Sequence, residues 1–132
     1  MKTIIFACVH NAGRSQMAAT FFNKYADPNK AKAISAGTEP AEKVHPEVLL
    51  VMNELNIDLS NAKPTRLTSA LAETADLLVT MGCGEKCPYV AGLKILDWQL
   101  EDPKGKDQDH VRTIRDDIKK RVIELIESNK WN

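Results

Sequence analysis

The chain has 132 residues, of which 43% are hydrophobic and 27% are charged. This balance fits one globular domain over residues 1–132 and excludes a disordered or fibrous chain. Because 18 basic and 18 acidic side chains cancel, neither nucleic acid nor a membrane surface is an expected partner. No apolar run could span a bilayer, and no signal peptide is recognised. We therefore expect a cytoplasmic protein whose three cysteines stay reduced and serve chemistry.

Short apolar runs alternate with helical patterns along the chain. In order, the patterns predict a strand over residues 3–8, a helix over 16–25, a strand over 31–36, helices over 46–55 and 67–73, and strands over 76–81 and 93–96. A long amphipathic helix follows, whose apolar face carries Val111, Ile114, Ile118, Val122 and Leu125. This alternation predicts an α/β fold, with a central four-stranded parallel sheet between two helical layers. Ligands of such sheets bind beyond the carboxyl ends of the strands, where Cys8 and Met81 lie.

The loop over residues 8–15 has the residue types that an oxyanion-binding loop needs. Where a loop runs into a helix, several backbone N–H groups can point at one anion, and here they would belong to Val9, His10, Asn11, Ala12 and Gly13. Arg14 offers a planar fork of donors to two oxygens of the anion. The same positive environment favours the thiolate of Cys8, and Ser15 can donate a hydrogen bond to it. We therefore predict that Cys8 is a nucleophile rather than a buried cysteine before an ordinary turn.

Residues 8–18, with the sequence CVHNAGRSQMA, resemble the low-molecular-weight protein tyrosine phosphatase family, and within it the arsenate reductase branch. The residues QMA after Ser15 separate this branch from the phosphatases, which usually carry proline there. The likeness continues through residues 35–38, 79–84 and 97–103 and covers nearly the whole chain. It implies a phosphatase-like fold and an enzyme that reduces arsenate to arsenite without a cofactor. Phosphate and sulfate would compete with arsenate.

The resemblance also implies that Asp102 is the general acid that protonates the departing oxygen. Spacing alone favours a turn residue, because Asp-Pro followed by a nearby glycine is ordinary turn chemistry. Glu101 and Asp97 are the alternative carboxylates.

Cys83 and Cys87 bear on the substrate class. A phosphatase needs only a nucleophile and an acid, whereas arsenate reduction needs two electrons, which two thiols supply by closing a disulfide. The resemblance implies a Cys8–Cys83 disulfide, then a Cys83–Cys87 disulfide that thioredoxin reduces. Two unrelated loop cysteines or half of a metal site are the alternatives. Because structural zinc needs four ligands and no further cysteine or histidine lies nearby, we predict no metal.

The sequence departs from the better-known thioredoxin-coupled members, because Met81 stands where their middle cysteine lies. Glutathione, glutaredoxin or mycothiol therefore remain alternative electron donors. A phosphatase remains a second alternative, although Lys104 and Gly105 replace its usual aromatic residues after Asp-Pro. A non-enzymatic anion-binding module is the third. We predict no potassium site of the kind found in some members, because Ala19 and Thr65 replace two of its carboxylates.

The three histidines and Trp98 are less informative. His10 either tunes the thiolate or only fits the backbone of the loop. His45 precedes Pro46 and is expected at the start of a helix. His110 is expected to be solvated on the last helix. Trp98 is expected to pack near Asp102 rather than to contact substrate.

Overall fold

A computed structural model describes residues 1–82 and 90–132, so Cys83 and Cys87 lie outside the described residues. The strands are β1 (Lys2–Cys8), β2 (Ala31–Gly37), β3 (Leu77–Thr80) and β4 (Lys94–Asp97). The helices are α1 (Arg14–Tyr25), α2 (Pro46–Asn53), α3 (Ser69–Ala72) and α4 (Gln108–Ser128). Within these two ranges, no helix combines the length and the apolar character needed to cross a membrane.

The four strands form one parallel sheet in the order β2-β1-β3-β4. Central strand β1 is apolar on both faces because both faces are covered. Ile4 and Phe6 pack into a core cluster with residues of α1, α2 and α4, whereas Ile5 and Ala7 pack on the other face with Ala72 of α3. The predicted α/β fold, with a four-stranded parallel sheet between helical layers, is therefore confirmed.

Some predicted boundaries differ from the observed ones. Helix α1 begins at Arg14, two residues earlier than predicted, because the loop over residues 8–13 runs directly into it. The helix predicted over residues 67–73 is only Ser69–Ala72. Leu67 lies outside it because its backbone N–H donates to the carbonyl oxygen of Gly37 at 2.8 Å. The Thr68 side chain then begins α3 by accepting from the backbone N–H of Leu71 at 3.1 Å.

An ion-pair cluster joins the end of α2 to α4. The Glu54 carboxylate accepts hydrogen bonds from Arg112 at 2.6 Å and from Arg115 at 2.8 Å. These bonds, the one from Arg112 foremost, lower the pKa of Glu54 to about 2. This cluster therefore connects the C-terminal end of α2 with α4.

Candidate active site

The loop after β1 is held to the segments around it through its carbonyl oxygens. The carbonyl oxygens of residues 8–10 accept bonds from the N–H groups of residues 38, 39 and 41, at 3.2, 2.8 and 2.9 Å. The carbonyl of Ala12 accepts from the N–H of His45 at 2.9 Å. Within residues 1–82 and 90–132, no acceptor is bonded to the N–H groups of residues 10–13, and no side chain caps α1. This arrangement suits an oxyanion.

Cys8 lies at the base of this loop, 2% exposed, at the carboxyl end of β1. Its Sγ is 2.8 Å from Oγ of Ser15. The amide Nδ2 of Asn11 donates to the same Oγ at 2.7 Å. Since Ser15 Oγ accepts from Asn11, its own proton is available to donate to a Cys8 thiolate.

Asn11 fits the loop through both its backbone and its side chain. Its φ of 49° lies in the left-handed region, which asparagine tolerates well. Its Oδ1 accepts from the backbone N–H of Thr65 at 2.8 Å. Because a backbone N–H can only donate, this bond defines which end of the amide carries the oxygen, and so directs Nδ2 at Ser15. The Gln16 side chain adds a bond to the carbonyl oxygen of Asn11 at 3.1 Å.

Arg14 connects the anion loop (residues 8–15) to the segments that contain Leu100, Asp102 and Gly82. Its side chain is 8% exposed, and its Nη1 donates to the carbonyl oxygen of Leu100 at 3.2 Å. Its Nη2 lies 3.9 Å from Oδ2 of Asp102. The backbone after β3 also packs closely on it, because a Cβ at Gly82, whose φ is +103°, would lie 2.5 Å from Nη1. The guanidinium is therefore held beside the Cys8 pocket.

Of the three candidate acids, Asp102 is the one that lines this pocket. Its side chain is 45% exposed, and its Oδ1 accepts from the backbone N–H of Lys104 at 3.0 Å. Asp97 lies at the end of β4, where its carboxylate accepts from Thr80 at 2.7 Å and from Gln99 at 2.6 Å. Glu101 pairs with His110.

The acid loop, residues 101–105 around Asp102, is held by contacts on both sides of Asp102. Pro103 packs on the anion loop so closely that a Cβ at Gly13 would lie 2.8 Å from its Cγ. The N–H of Gly105 donates to Oε1 of Glu47, in the first turn of α2, at 3.2 Å. The Asp102 carboxylate is therefore held at the pocket by the backbone on either side of it.

Two histidines that the sequence left without a firm role also line the pocket, His10 and His45. Their rings meet edge to face, with centroids 6.4 Å apart. Partial burial lowers the pKa of His45, although the carboxylates of Glu47 and Asp102 act in the opposite direction. His45 does begin α2, as predicted, but nothing in the local sequence indicated that its ring faces Cys8.

Two further expectations have different outcomes. His110 is exposed on α4, as expected, and its ring also pairs with Glu101. Trp98 packs against Phe6, with ring centroids 5.7 Å apart, so its ring contacts the core cluster. Its expected packing near Asp102 remains a prediction. Within the described part of the chain, no group of three histidine, cysteine or acidic side chains could hold a metal ion.

The chain is similar to several known proteins over most of its length. A glutaredoxin arsenate reductase of Synechocystis sp. is 36% identical over 129 residues, covering 96% of this chain and 97% of that protein. The thioredoxin-dependent arsenate reductase of Corynebacterium glutamicum matches with a TM-score of 0.82 and 38% identity over 97% of this chain, which spans 61% of that longer protein. An arsenate reductase in the phosphate binding state matches with a TM-score of 0.80 and 34% identity, covering 97% of this chain and 98% of that one.

The family model described as low molecular weight phosphotyrosine protein phosphatase matches residues 3–131. The chain therefore belongs to the low molecular weight phosphotyrosine protein phosphatase family, as its motifs predict.

Proposed function

We propose that this protein reduces arsenate to arsenite, with Cys8 as the nucleophile. The observation that carries the proposal is the hydroxyl of Ser15, 2.8 Å from Cys8 Sγ and free to donate to its thiolate. The arsenate reductases among its relatives support arsenate as the substrate. The loop N–H groups and Arg14 bind the oxyanion, and phosphate or sulfate competes for the same groups.

In the first step, the Cys8 thiolate attacks arsenic and displaces one oxygen. A sulfur–arsenic bond forms, an arsenic–oxygen bond breaks, and the oxygen departs as water. Asp102 supplies the proton for that oxygen. Its position at the pocket beside Arg14 supports this role over Asp97 and Glu101, whose carboxylates have other partners.

In the second step, Cys83 attacks the sulfur of Cys8. A disulfide forms between them, the electron pair of the sulfur–arsenic bond stays on arsenic, and arsenite leaves with arsenic reduced by two electrons. Cys87 then attacks Cys83, which frees Cys8 and leaves a Cys83–Cys87 disulfide for an external reductant. The support for these two roles is chemical and lies in the sequence.

We propose thioredoxin as that reductant, with glutaredoxin and glutathione or mycothiol as the alternatives. The corynebacterial relative is described as thioredoxin-dependent and the Synechocystis relative as a glutaredoxin arsenate reductase. Because all three cysteines must start as thiols, we expect the protein to act in the cytoplasm.

The test is a single-turnover thiol count. Fully reduced protein is mixed with excess arsenate in the absence of external thiol, denatured, and titrated for free thiols. We expect the three thiols to fall to one, with one arsenite formed per chain. The variant Cys87→Ser should stop at a Cys8–Cys83 disulfide, which peptide mass mapping identifies. If all three thiols remain and no arsenite forms, Cys83 and Cys87 do not have these roles.

Phosphate-ester hydrolysis is the second candidate, because the family model is that of a phosphatase. It needs Cys8 and Asp102 but neither of the other cysteines. A Cys83→Ser, Cys87→Ser double variant separates the two activities. Under our proposal this variant loses arsenite formation completely, whereas any hydrolysis of para-nitrophenyl phosphate persists.

A further inference from the structure

The pocket above Cys8 has a buried floor and a more exposed rim. Cys8, Ala12 and Arg14 on the floor are buried. His10 and His45 are half-buried, and the Asp102 side chain is 45% exposed. Among the described lining residues, His10, His45 and Asp102 therefore form the more exposed side of the pocket.

The pocket is small, with a volume of about 10 Å³. That is close to the least space that holds one water molecule, about 10–15 Å³, so any oxyanion that enters, arsenate included, must displace side chains at the pocket, and an ester must displace more. His10 and His45 both line this pocket, and their rings contact each other edge to face.

Both imidazoles are attached to well-ordered backbone. His45 donates its N–H to Ala12 of the anion loop at 2.9 Å, and its carbonyl accepts from Val48 of α2 at 3.0 Å. Nδ1 of His10 lies 3.1 Å from the carbonyl oxygen of Glu39. Moving the His10 ring would therefore lose its contact with Glu39, whereas the bonds of His45 fix its backbone beside the anion loop.

Displacement chemistry places the leaving oxygen on the side away from Cys8, toward the rim and Asp102. In arsenate that oxygen carries at most a proton. In a phosphate monoester it carries the organic group, which must then lie between the imidazoles and Asp102. The same rim thus admits an inorganic anion and obstructs an ester.

We propose that His45, with His10 beside it, is a specificity-determining residue that restricts the Cys8 pocket to inorganic oxyanions. This inference rests on the proposed function, because it explains how a phosphatase-family pocket favours arsenate over phosphate esters. His45 acts through the space that its ring occupies and takes no part in proton transfer.

The test measures anion binding without any turnover. Phosphate, methylphosphonate and phenylphosphonate are titrated as protectors of Cys8 against alkylation by iodoacetamide, with Cys83 and Cys87 replaced by serine throughout. In the protein with His45 intact, we expect affinity to fall with each increase in size. His45→Ala should reduce the preference for phosphate over phenylphosphonate by at least about tenfold, whereas the longer side chain in His45→Gln should change it by less than about threefold.

Three results would overturn the inference. In the protein with intact His45, phenylphosphonate could bind as tightly as phosphate. This outcome does not depend on whether a histidine variant folds. The preference could stay the same in His45→Ala, or it could rise, which would show that the imidazole stacks on aryl groups and recruits them. Because the alkylation assay needs no arsenite, absence of arsenate reduction would refute the proposed function while leaving this measurement intact.

Discussion

Replacing Asn11 by aspartate should reverse the hydrogen bond between residue 11 and Ser15, and so remove the bond that Ser15 donates to the Cys8 thiolate. In the native loop, Nδ2 of Asn11 donates to Ser15 Oγ at 2.7 Å, which directs the hydroxyl proton toward Cys8 Sγ at 2.8 Å. Aspartate has nearly the same shape but carries an acceptor oxygen in place of Nδ2. The Ser15 hydroxyl would then donate to the new carboxylate, and the thiolate would lose its donor.

The expected magnitude follows from the bond that is lost. A hydrogen bond to a charged group contributes about 1.5–3 kcal/mol, which corresponds to about 10- to 150-fold in rate. Ser15→Ala removes the same donor, and so should lower kcat/KM for arsenate by a similar factor. The new negative charge in Asn11→Asp adds a second, separate penalty on anion binding.

A double-mutant cycle separates these two effects. The kcat/KM for arsenate and the rate of Cys8 alkylation at pH 7 are measured for Asn11→Asp, Ser15→Ala and the double variant. If Asn11 acts through Ser15, Asn11→Asp should slow alkylation at least about tenfold in the native background but only about threefold in the Ser15→Ala background. Effects that simply multiply would refute the reasoning, because they would mean that Asn11 affects Cys8 without Ser15.

Three other substitutions test separate parts of the structure. Asp102→Asn should lower kcat for arsenate by about 100-fold or more while inhibition by phosphate persists, because the proton donor is lost and the anion loop is kept. Gly82→Ala should raise KM for arsenate at least about tenfold in steady-state assays, since its Cβ would lie 2.5 Å from Arg14 Nη1 at a φ of +103°. Glu54 has a pKa lowered to about 2, chiefly by Arg112. The ionised Glu54 carboxylate therefore stabilises the fold above its unfolded pKa, and this stabilisation is lost as the pH falls toward 2. Thermal unfolding should show Glu54→Gln less stable than the native protein at pH 7 and equally stable near pH 2.

The fold could be predicted from the sequence because its signals are local. The apolar run of β1 predicts a strand covered on both faces, and the spacing from Val111 to Leu125 predicts the inner face of α4. The ends of elements were less predictable where distant residues decide them. Leu67 leaves the predicted helix because Gly37, far away in the chain, accepts its backbone N–H.

The same distinction holds for the site. The bonds among Cys8, Asn11 and Ser15 lie within one loop, so a short motif could predict them. The position of Asp102 depends on contacts between distant segments, and spacing alone favoured a turn residue. The ring of His45 faces the pocket because α2 is bonded to the anion loop at Ala12, and no local pattern records that bond.

Arg14 connects two parts of this site, the loop over residues 8–15 and the segment around Asp102. One guanidinium borders the Cys8 pocket, donates to Leu100 at 3.2 Å and lies 3.9 Å from Asp102. It is also packed against Gly82 at the end of β3. A lysine could supply positive charge to an anion, but its single ammonium lacks the planar fork that reaches several partners at fixed angles. Arginine at this position therefore contacts the segment around Asp102 with the same side chain that borders the Cys8 pocket.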